Sequence, residues 1–357
     1  MSVFTLAVAL VLATAAAAFA TPLVARLATH VGMVDEAGDR RMHALPTPRI
    51  GGVAVFLGFS FALFGVVGYL IANHKLLDLD SIHDVLGLLF GGTLILMVGL
   101  WDDIMGMRPR TKLVAQFVVA AISLLYGFDI KGFDNPLHRG DYIHFPYWLG
   151  AVFTLLWYLG MMNAINFIDG LDGLLAGLTA ISGMSLLVIE MTHGHPELAL
   201  VLAALVGGAL GFLPFNFNPA KIFLGDSGAL FIGYVFATVS IIGVSKFLIS
   251  INLIIPLVVL ALPILDTAVT IVRRTRAGKK ITEADRGHFH HQLIFRFGLN
   301  VRQAVLLIYV VCIALGAVAL LLSKGVGPLK LAHSPPPHRV SASTAPGRGE
   351  VLDVQLS

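Results

Sequence analysis

The chain has 357 residues, of which 13% are charged and 57% are hydrophobic, and its mean hydropathy is +0.86. A typical soluble domain contains about 25% charged residues, so this composition excludes a water-soluble fold of this size. It also excludes intrinsic disorder along the whole chain, which requires low hydrophobicity and high charge. The single cysteine, Cys312, excludes an internal disulfide bond, and the net charge of only +3 argues against a nucleic-acid partner.

Ten apolar runs are long enough to cross a bilayer, and they predict an all-α, polytopic transmembrane helical bundle. A transmembrane β-barrel is disfavoured because the runs are about 20 residues long and do not alternate. We assign residues 1–322 to this transmembrane domain. The predicted spans are 3–25, 50–72, 85–101, 112–128, 147–165, 173–190, 197–214, 228–247, 251–272 and 303–322.

The basic residues predict how the bundle is oriented. Sixteen of the 24 lysines and arginines fall in loops on one side, four fall in loops on the other, and four lie in the C-terminal tail. Because positively charged loops stay in the cytoplasm, the N-terminus is predicted outside. The Ala18-Phe19-Ala20 stretch resembles a signal-peptidase site, but no basic residue precedes the apolar run, so we expect the first span to be retained. The tail, residues 323–357, is rich in proline and serine and is predicted to be disordered.

The third predicted span ends at two adjacent carboxylates, Asp102 and Asp103. Neighbouring carboxylates beside an apolar segment repel each other and are costly to desolvate, so a cation or a proton is expected nearby. The alternative is a pair of solvated residues just past a helix end.

A second polar cluster follows the fifth predicted span and contains Asn163, Asn166, Asp169 and Asp172. If this segment is helical, the spacing of three places these side chains on one face, within reach of one ion or phosphate group. The alternative is a capping turn between two spans, with Asp172 as the cap.

A third cluster lies between the seventh and eighth spans. Asp226 stands between Gly225 and Gly228, where the N-terminus of the following helix suits a phosphate and a carboxylate suits magnesium. The alternative is a simple helix cap. Asn216, Lys221 and Phe223 of the same loop are candidate substrate contacts, although the aromatics are also typical of interfacial anchors.

The fourth cluster is the basic loop at 273–302, which contains His288, His290 and His291. Histidines bind metals, transfer protons or donate hydrogen bonds to phosphate, and the surrounding basic residues, among them Arg274, favour an anionic ligand. Anionic lipid headgroups would explain the basic residues but not the histidines. Asp266 lies inside the ninth span and is a further candidate, or a structural partner of a neighbouring helix.

All four clusters are predicted on the cytoplasmic side. Together they provide carboxylates to hold magnesium, cations to neutralise phosphate, and a candidate base, which is what phosphoryl transfer requires. A lipid phosphate would arrive from the bilayer and a nucleotide from the cytoplasm. A secondary transporter is the remote alternative, but transporters place ionisable groups near the bilayer midplane.

In combination and order, four stretches resemble the polyprenyl-phosphate N-acetylhexosamine-1-phosphate transferases. Within that family the chain is similar to the bacterial branch that uses UDP-GlcNAc and undecaprenyl phosphate. The resemblance covers roughly residues 20–315, including the Val31–Asp35, Arg40–His43 and Pro46–Gly52 stretches. The four stretches are Leu100–Asp103, Asn163–Gly173, Phe223–Gly228 and Asp285–His291.

The resemblance implies that the lipid phosphate attacks the β-phosphate of a UDP-sugar, with UMP leaving. The product would be a lipid-linked sugar pyrophosphate that initiates cell-envelope glycan synthesis, such as lipopolysaccharide O-antigen. It implies a Mg²⁺ cofactor (Mn²⁺ as an alternative), a bacterial inner-membrane location with the site facing the cytoplasm, contacts with membrane lipids, and a homodimer as one option for assembly.

Residue roles carried over from the resemblance are expectations. Asp226 matches the metal ligand, with Asp169 and Asp172 near the metal and nucleotide. Asp102 matches the proposed base or lipid-phosphate partner and Asp103 its neighbour. The remaining matches are Asn166, Asn216 and Phe223 at the nucleotide and His288, His290 and His291 at the phosphate and sugar.

The histidine pattern also bears on the donor. His-Phe-His-His at 288–291 resembles the GlcNAc branch, whereas phospho-MurNAc-pentapeptide transferases carry a longer histidine run. UDP-GlcNAc is therefore the expected donor, with another UDP-N-acetyl sugar or UDP-MurNAc-pentapeptide as the alternative. Members of this branch usually carry one more apolar span where this chain has its polar tail.

Overall fold

A computed structural model describes residues 1–35, 47–73, 79–134, 142–246, 251–276, 278 and 288–324. It consists almost entirely of helices. In chain order they are α1 (Val3–Val31), α2 (Gly52–Ala72), α3 (Leu79–Met105), α4 (Pro109–Leu125), α5 (Tyr147–Ile168), α6 (Leu174–His193), α7 (Pro196–Asn216), α8 (Gly225–Lys246), α9 (Ile251–Val259), α10 (Ala261–Arg276), α11 (Phe289–Phe295) and α12 (Val301–Lys324). Two short antiparallel pairs join β1 (Val34–Asp35) to β2 (Thr47–Pro48) and β3 (Gly132–Asp134) to β4 (Tyr142–His144).

The predicted polytopic helical bundle is confirmed, but the predicted count of ten spans is not. Among the described residues, eight helices are long and apolar enough to cross a membrane: α1, α2, α3, α5, α6, α7, α8 and α12. The fourth predicted span is α4, a helix of 17 residues. The predicted tail lies outside the described residues from 325 onward.

The ninth predicted span, 251–272, is divided into α9 and α10 at Leu260. Pro263 explains the division, since proline has no N–H to donate to the carbonyl four residues earlier, which belongs to Val259. The Ser182 hydroxyl of α6 donates to that carbonyl instead, at 3.4 Å. The proline was visible in the sequence, so a break at this point was predictable.

Helices α7 and α8 form the centre of the bundle, and small residues bring α1 against α7. A side chain at Gly207 would meet the carbonyl of Leu10, and one at Gly211 would meet the carbonyl of Thr14. The buried Ala13 and Ala17 lie along the same face of α1. Close backbone approach through small residues is a common way for helices to associate in lipid. Helix α1 is continuous through Ala18–Ala20 and packs into the bundle.

The alternating direction of the helices gathers several helix ends at one end of the bundle. The C-terminal ends of α3, α5 and α7 meet the N-terminal ends of α4, α6 and α8 there, through contacts such as Lys112 with Asp226 and Asn216 with Gly173. The β1–β2 pair joins them, because Pro48 accepts a hydrogen bond from Phe223. Three of the four predicted clusters therefore lie together, although they are far apart in sequence.

Candidate active site

An open cavity of about 410 Å³ lies at this end of the bundle. Its volume is in the range of small-molecule sites, and its lining is mostly polar. The lining residues are Asp35, Arg49, Asn166, Asp169, Gly170, Leu171, Asp172, Asn216, Phe223, Leu224, Gly225 and Asp226. Six predicted site residues are among them: Asn166, Asp169, Asp172, Asn216, Phe223 and Asp226.

Asp226 is placed by a tight backbone junction at the start of α8. Gly225 has a φ of +76°, and a side chain there would collide with the carbonyl of Arg49 and the carboxylate of Asp103. The Asp103 carboxylate accepts hydrogen bonds from the N–H groups of Asp226 (2.8 Å) and Ser227 (2.9 Å). Asp103 therefore caps α8 from another helix and positions Asp226, since both of its oxygens are occupied.

Lys112 bridges the two carboxylates that face each other across this junction. Its Nζ lies 2.8 Å from Asp102 Oδ2 and 2.7 Å from Asp226 Oδ1. Asn166 Nδ2 donates to the same Asp226 oxygen at 2.5 Å. The other Asp102 oxygen accepts the N–H of Met107 at 2.6 Å. The cation beside Asp102 is thus Lys112, from the first turn of α4.

Residues 169–173 form a turn between α5 and α6, so the helical spacing predicted for Asp169 and Asp172 is wrong. Asp169 is the C-cap of α5, and Gly173 has a φ of +80° at the start of α6. The two glycines of the sequence make this turn possible. The two carboxylates consequently point to different partners, although both line the cavity.

Asp172 binds the loop that follows α7. Its Oδ2 accepts hydrogen bonds from Asn218 Nδ2 (2.9 Å) and from the N–H of Ala220 (3.0 Å). Asn216 links the same two segments, accepting from the N–H of Gly173 and donating to the carbonyl of Ile222, each at 3.0 Å. Asp172 and Asn216 therefore shape the cavity wall that carries Phe223.

Asp169 faces the carboxylates of Asp226, Asp103 and Asp172. Burial, reinforced by these negative charges, raises the pKa of Asp169 to about 8. A bound cation would relieve this repulsion. Among the residues that the structure describes, no three His, Cys, Asp or Glu side chains are placed to hold one metal ion. The metal set of Asp226, Asp169 and Asp172 stays a prediction, and one oxygen of Asp172, Oδ2, is already engaged by Asn218 and Ala220.

Two carboxylates are enough to hold the Mg²⁺ ion that phosphoryl transfer requires. Mg²⁺ takes oxygen ligands and is usually held by one or two carboxylates together with substrate phosphates and water. Asp226 and Asp169 line one cavity and supply such oxygens. The residues present therefore fit a hard divalent cation that is completed by a phosphate substrate.

Arg49 is the basic side chain in the cavity lining. It lies on a segment that pairs with residues 222–224, since Gly51 and Gly52 donate to the carbonyls of Phe223 (2.9 Å) and Leu224 (2.7 Å). Its guanidinium is 3.6 Å from Asp103 and 3.9 Å from Asp226, and its side chain is 37% exposed. This geometry leaves donors available for an anionic ligand.

The histidine stretch is anchored by Asp266 of α10. The ring of His288 and the N–H of Phe289 contact the two oxygens of Asp266, at 2.9 and 2.8 Å. This fastens α11 to α10 and gives Asp266 the structural role named as its alternative. His290 is 2% exposed and packs on Gly170, where a side chain would collide with its ring.

The electrostatics of His290 exclude one of the roles considered for it. Neither of its ring nitrogens has a hydrogen-bond partner among the described residues. Burial, assisted by the neighbouring His291, lowers the pKa of His290 to about 3. Its imidazole is therefore neutral at physiological pH and is not a cationic phosphate ligand in the free protein.

Two predicted substrate contacts lie elsewhere. Arg274 is buried on the face of α10 that also carries Thr267 and Thr270, and it does not line the cavity. Lys221 is exposed beyond the cavity wall. The basic residues that contact the site carboxylates are Arg49 and Lys112. Neither is among the predicted site residues, because a lysine or arginine at a span end is an ordinary interfacial residue.

The fold and the site define an integral membrane protein with a carboxylate-rich, phosphate-compatible pocket at one end of its helix bundle. Residues 85–244 match the family described as glycosyl transferase family 4. The chain is 34% identical over 291 residues to a probable undecaprenyl-phosphate N-acetylglucosaminyl 1-phosphate transferase of Bacillus subtilis, covering 82% of this chain and 77% of that protein. The chain therefore belongs to this family.

Two other relatives are similar to this chain over different lengths. A decaprenyl-phosphate N-acetylglucosaminephosphotransferase of Mycobacterium tuberculosis is 34% identical over 312 residues, which is 82% of this chain and 76% of that protein. A phospho-N-acetylmuramoyl-pentapeptide-transferase of Limosilactobacillus fermentum is 38% identical over 154 residues, only 41% of this chain and 47% of that protein. The similarity to the N-acetylglucosamine enzymes thus extends over about twice as much of this chain.

Proposed function

We propose that this protein transfers GlcNAc-1-phosphate from UDP-GlcNAc to a polyprenyl phosphate, with undecaprenyl phosphate as the natural acceptor. The observation that carries the proposal is that Asp226, Asp169 and Arg49 line one open cavity, with Lys112 bound to Asp226, in a chain of this family. This set matches the needs of a diphosphate: oxygen ligands for a metal and cations for the phosphate oxygens.

In this reaction an oxygen of the lipid phosphate forms a new bond to the β-phosphorus, and the bond from that phosphorus to the bridging oxygen of UMP breaks. The attacking phosphate is already ionised, so the step needs no strong base. Divalent metal, when bound, supplies charge neutralisation at the diphosphate; dependence on a metal follows from the family, and Mg²⁺ as the ion is our proposal.

The residues of the chain divide this work. Asp226 and Asp169 hold the metal, and Arg49 binds diphosphate oxygens exposed in the cavity. Lys112 lies between Asp102 and Asp226 and neutralises the charge on the phosphate that enters there. Asp102 acts by holding Lys112 rather than as the base, since its two oxygens already accept from Lys112 and Met107.

The nucleotide lies against the wall formed by Asn216, Phe223 and the 169–173 turn. Phe223 is partly exposed there, and an aromatic face suits stacking by a base. His290 packs against Gly170 of this turn, with His288 and His291 beside it; none of the three lines the cavity, so they act on the phosphate and sugar side through the turn. The protein lies in a bacterial inner membrane, and the end of the bundle that carries the site faces the cytoplasm, where nucleotide sugars are available.

The test is UMP release by the purified protein in detergent with Mg²⁺, undecaprenyl phosphate and, separately, UDP-GlcNAc, UDP-GalNAc or UDP-MurNAc-pentapeptide. We expect lipid- and metal-dependent release that is fastest with UDP-GlcNAc. Asp226→Asn should reduce it at least 100-fold, whereas Asp80→Asn, at an exposed aspartate in the first turn of α3, should leave it unchanged. Fastest release with UDP-MurNAc-pentapeptide would replace the proposed donor, and release with none of the donors would contradict the transferase.

A further inference from the structure

Two side chains of α12 reach the loops that form the nucleotide-side wall of the cavity. The hydroxyl of Tyr309 donates a hydrogen bond to the carbonyl of Gly173 at 2.5 Å, and Arg302 Nε donates to the carbonyl of Asn218 at 2.9 Å. Helix α12 lies outside residues 85–244, the part of the chain that matches the family profile. Nothing in the roles assigned so far uses either residue.

Gly173 is held through both of its backbone polar groups. Its N–H donates to Asn216 Oδ1 at 3.0 Å, while its carbonyl accepts from Tyr309. Its φ of +80° is in the left-handed region, and the ring of Phe217 packs against it so closely that a side chain there would collide. The Tyr309 hydroxyl therefore completes the anchoring of the turn that carries Asp169 and Asp172.

Asp172 is braced from its other side through Asn218. The side-chain amide of Asn218 donates to Asp172 Oδ2 at 2.9 Å, and the Asn218 carbonyl accepts from Arg302. Tyr309 and Arg302 are seven residues apart, two turns of one helix. One face of α12 thus holds both partners of the contact between the 169–173 turn and the 216–222 loop.

The packing around Tyr309 is shaped to receive it. Gly177 lies in α6 next to the Tyr309 ring, and a side chain at Gly177 would overlap the phenol oxygen. A glycine inside a helix is less favourable than an alanine. Its presence here leaves the space through which the tyrosine reaches the Gly173 carbonyl.

We propose that Tyr309 and Arg302 are positioning residues that hold the nucleotide-binding wall of the active site in its productive shape. The inference rests on the proposed function for the identity of the ligand. Neither residue lines the cavity, so both act through Gly173 and Asn218. The wall they hold includes Asp169, Gly170, Leu171, Asp172 and Asn216, but not the Lys112 bridge.

The experiment compares steady-state UMP release by wild type, Tyr309→Phe, Arg302→Gln and the double variant. Loss of one hydrogen bond should raise the KM for UDP-GlcNAc about fivefold in each single variant, with kcat and the KM for undecaprenyl phosphate within twofold. Because both residues hold the same pair of loops, the KM for UDP-GlcNAc in the double variant should rise by less than the product of the two single increases. Gly177→Ala, which displaces the tyrosine, should raise the same KM.

The matched controls are Tyr158→Phe and Gly160→Ala. Tyr158 is a buried tyrosine of α5 whose hydroxyl contacts Thr238 at 2.9 Å, and a side chain at Gly160 meets nothing within 4 Å. Neither control should change the KM for UDP-GlcNAc. An unchanged KM for UDP-GlcNAc in Tyr309→Phe, or an equal increase of the KM for both substrates, would overturn the positioning role. An inactive wild type would instead refute the proposed function, so the two failures are distinguishable.

Discussion

Lys112 Nζ lies 2.7 Å from Asp226 Oδ1, although the two residues are 114 positions apart in the chain. The same nitrogen is 2.8 Å from Asp102. One lysine thus compensates two carboxylates that would otherwise repel each other at the end of the helix bundle. In the proposed reaction this cation is also the charge closest to the metal ligand, so it connects the folding of the site to its chemistry.

Replacing Lys112 by Met should reduce UMP release at least 100-fold, because the positive charge that meets the phosphate is lost. The same change makes the site more negative, so Mn²⁺, used as a spectroscopic probe of the metal site, should bind at least as tightly as to wild type. Lys131→Met is the matched control at an exposed lysine outside the cavity. Activity within fivefold of wild type in Lys112→Met would contradict this role.

Metal affinity should increase with pH. Because burial and neighbouring carboxylates raise the pKa of Asp169 to about 8, this group is largely protonated at neutral pH and must lose its proton to bind a cation. Apparent Mn²⁺ affinity of the nucleotide-free protein should therefore rise between pH 6.5 and 8.5, as measured by electron paramagnetic resonance titration. Asp169→Asn should bind the ion more weakly and with a shallower pH dependence; an unaltered slope in that variant would exclude Asp169 as the titrating ligand.

The Gly225 junction should tolerate no side chain. Gly225→Ala places a Cβ against the carbonyl of Arg49 and the Asp103 carboxylate, which would displace Asp226, so UMP release should fall at least 100-fold. Gly106→Ala is the matched control, since Gly106 has a φ of +67° but a Cβ there meets nothing within 4 Å. Gly106→Ala should lower the free energy of unfolding only by the backbone strain of about 1–2 kcal/mol, and it should retain activity. Equal losses in both variants would mean that strain, rather than the collision, determines the effect.

His290 should make the protein sensitive to mild acid. Its folded pKa of about 3 lies below the ordinary value of 6.5, so the folded protein binds fewer protons than the unfolded chain between these values. The contribution of the neutral His290 ring to the free energy of unfolding is complete above about pH 6.5 and is lost as the pH falls toward 3. The groups facing the ring are Asp266, His288 and His291.

The measurement is thermal unfolding in detergent at pH 7.5 and pH 5. The unfolding temperature of wild type should fall further between pH 7.5 and pH 5 than that of His290→Gln, because the variant has no imidazole to protonate. The control is His30→Gln, at an exposed histidine of α1, which should behave as wild type. A His290→Gln variant with the same acid sensitivity as wild type would show that another group is responsible.

Much of this arrangement was predictable, because composition and polar clustering are strong signals in a membrane chain. Charged residues are so costly in lipid that Asp102, Asp169 and Asp226 stood out from their apolar surroundings. Helices that alternate in direction must bring such clusters to the same end. The prediction of one polar site assembled from distant clusters followed from these facts alone.

The partners of each side chain were not predictable in the same way. Asp103 caps a helix that begins 122 residues later, and Asp172 binds a loop about 46 residues away. Lys112 resembles any interfacial lysine, and Tyr309 any residue of an apolar span. These roles depend on which helices pack together, which local periodicity does not encode.

The central claim is that GlcNAc-1-phosphate, and not GlcNAc alone, passes to the lipid. The most direct measurement uses UDP-GlcNAc carrying ³²P at its β-phosphate, incubated with the purified protein, Mg²⁺ and undecaprenyl phosphate and then partitioned between butanol and water. The account predicts that the label enters the lipid phase while an α-phosphate label leaves as UMP in the aqueous phase. Retention of the β-phosphate label in water as UDP, with sugar in the lipid phase, would contradict it.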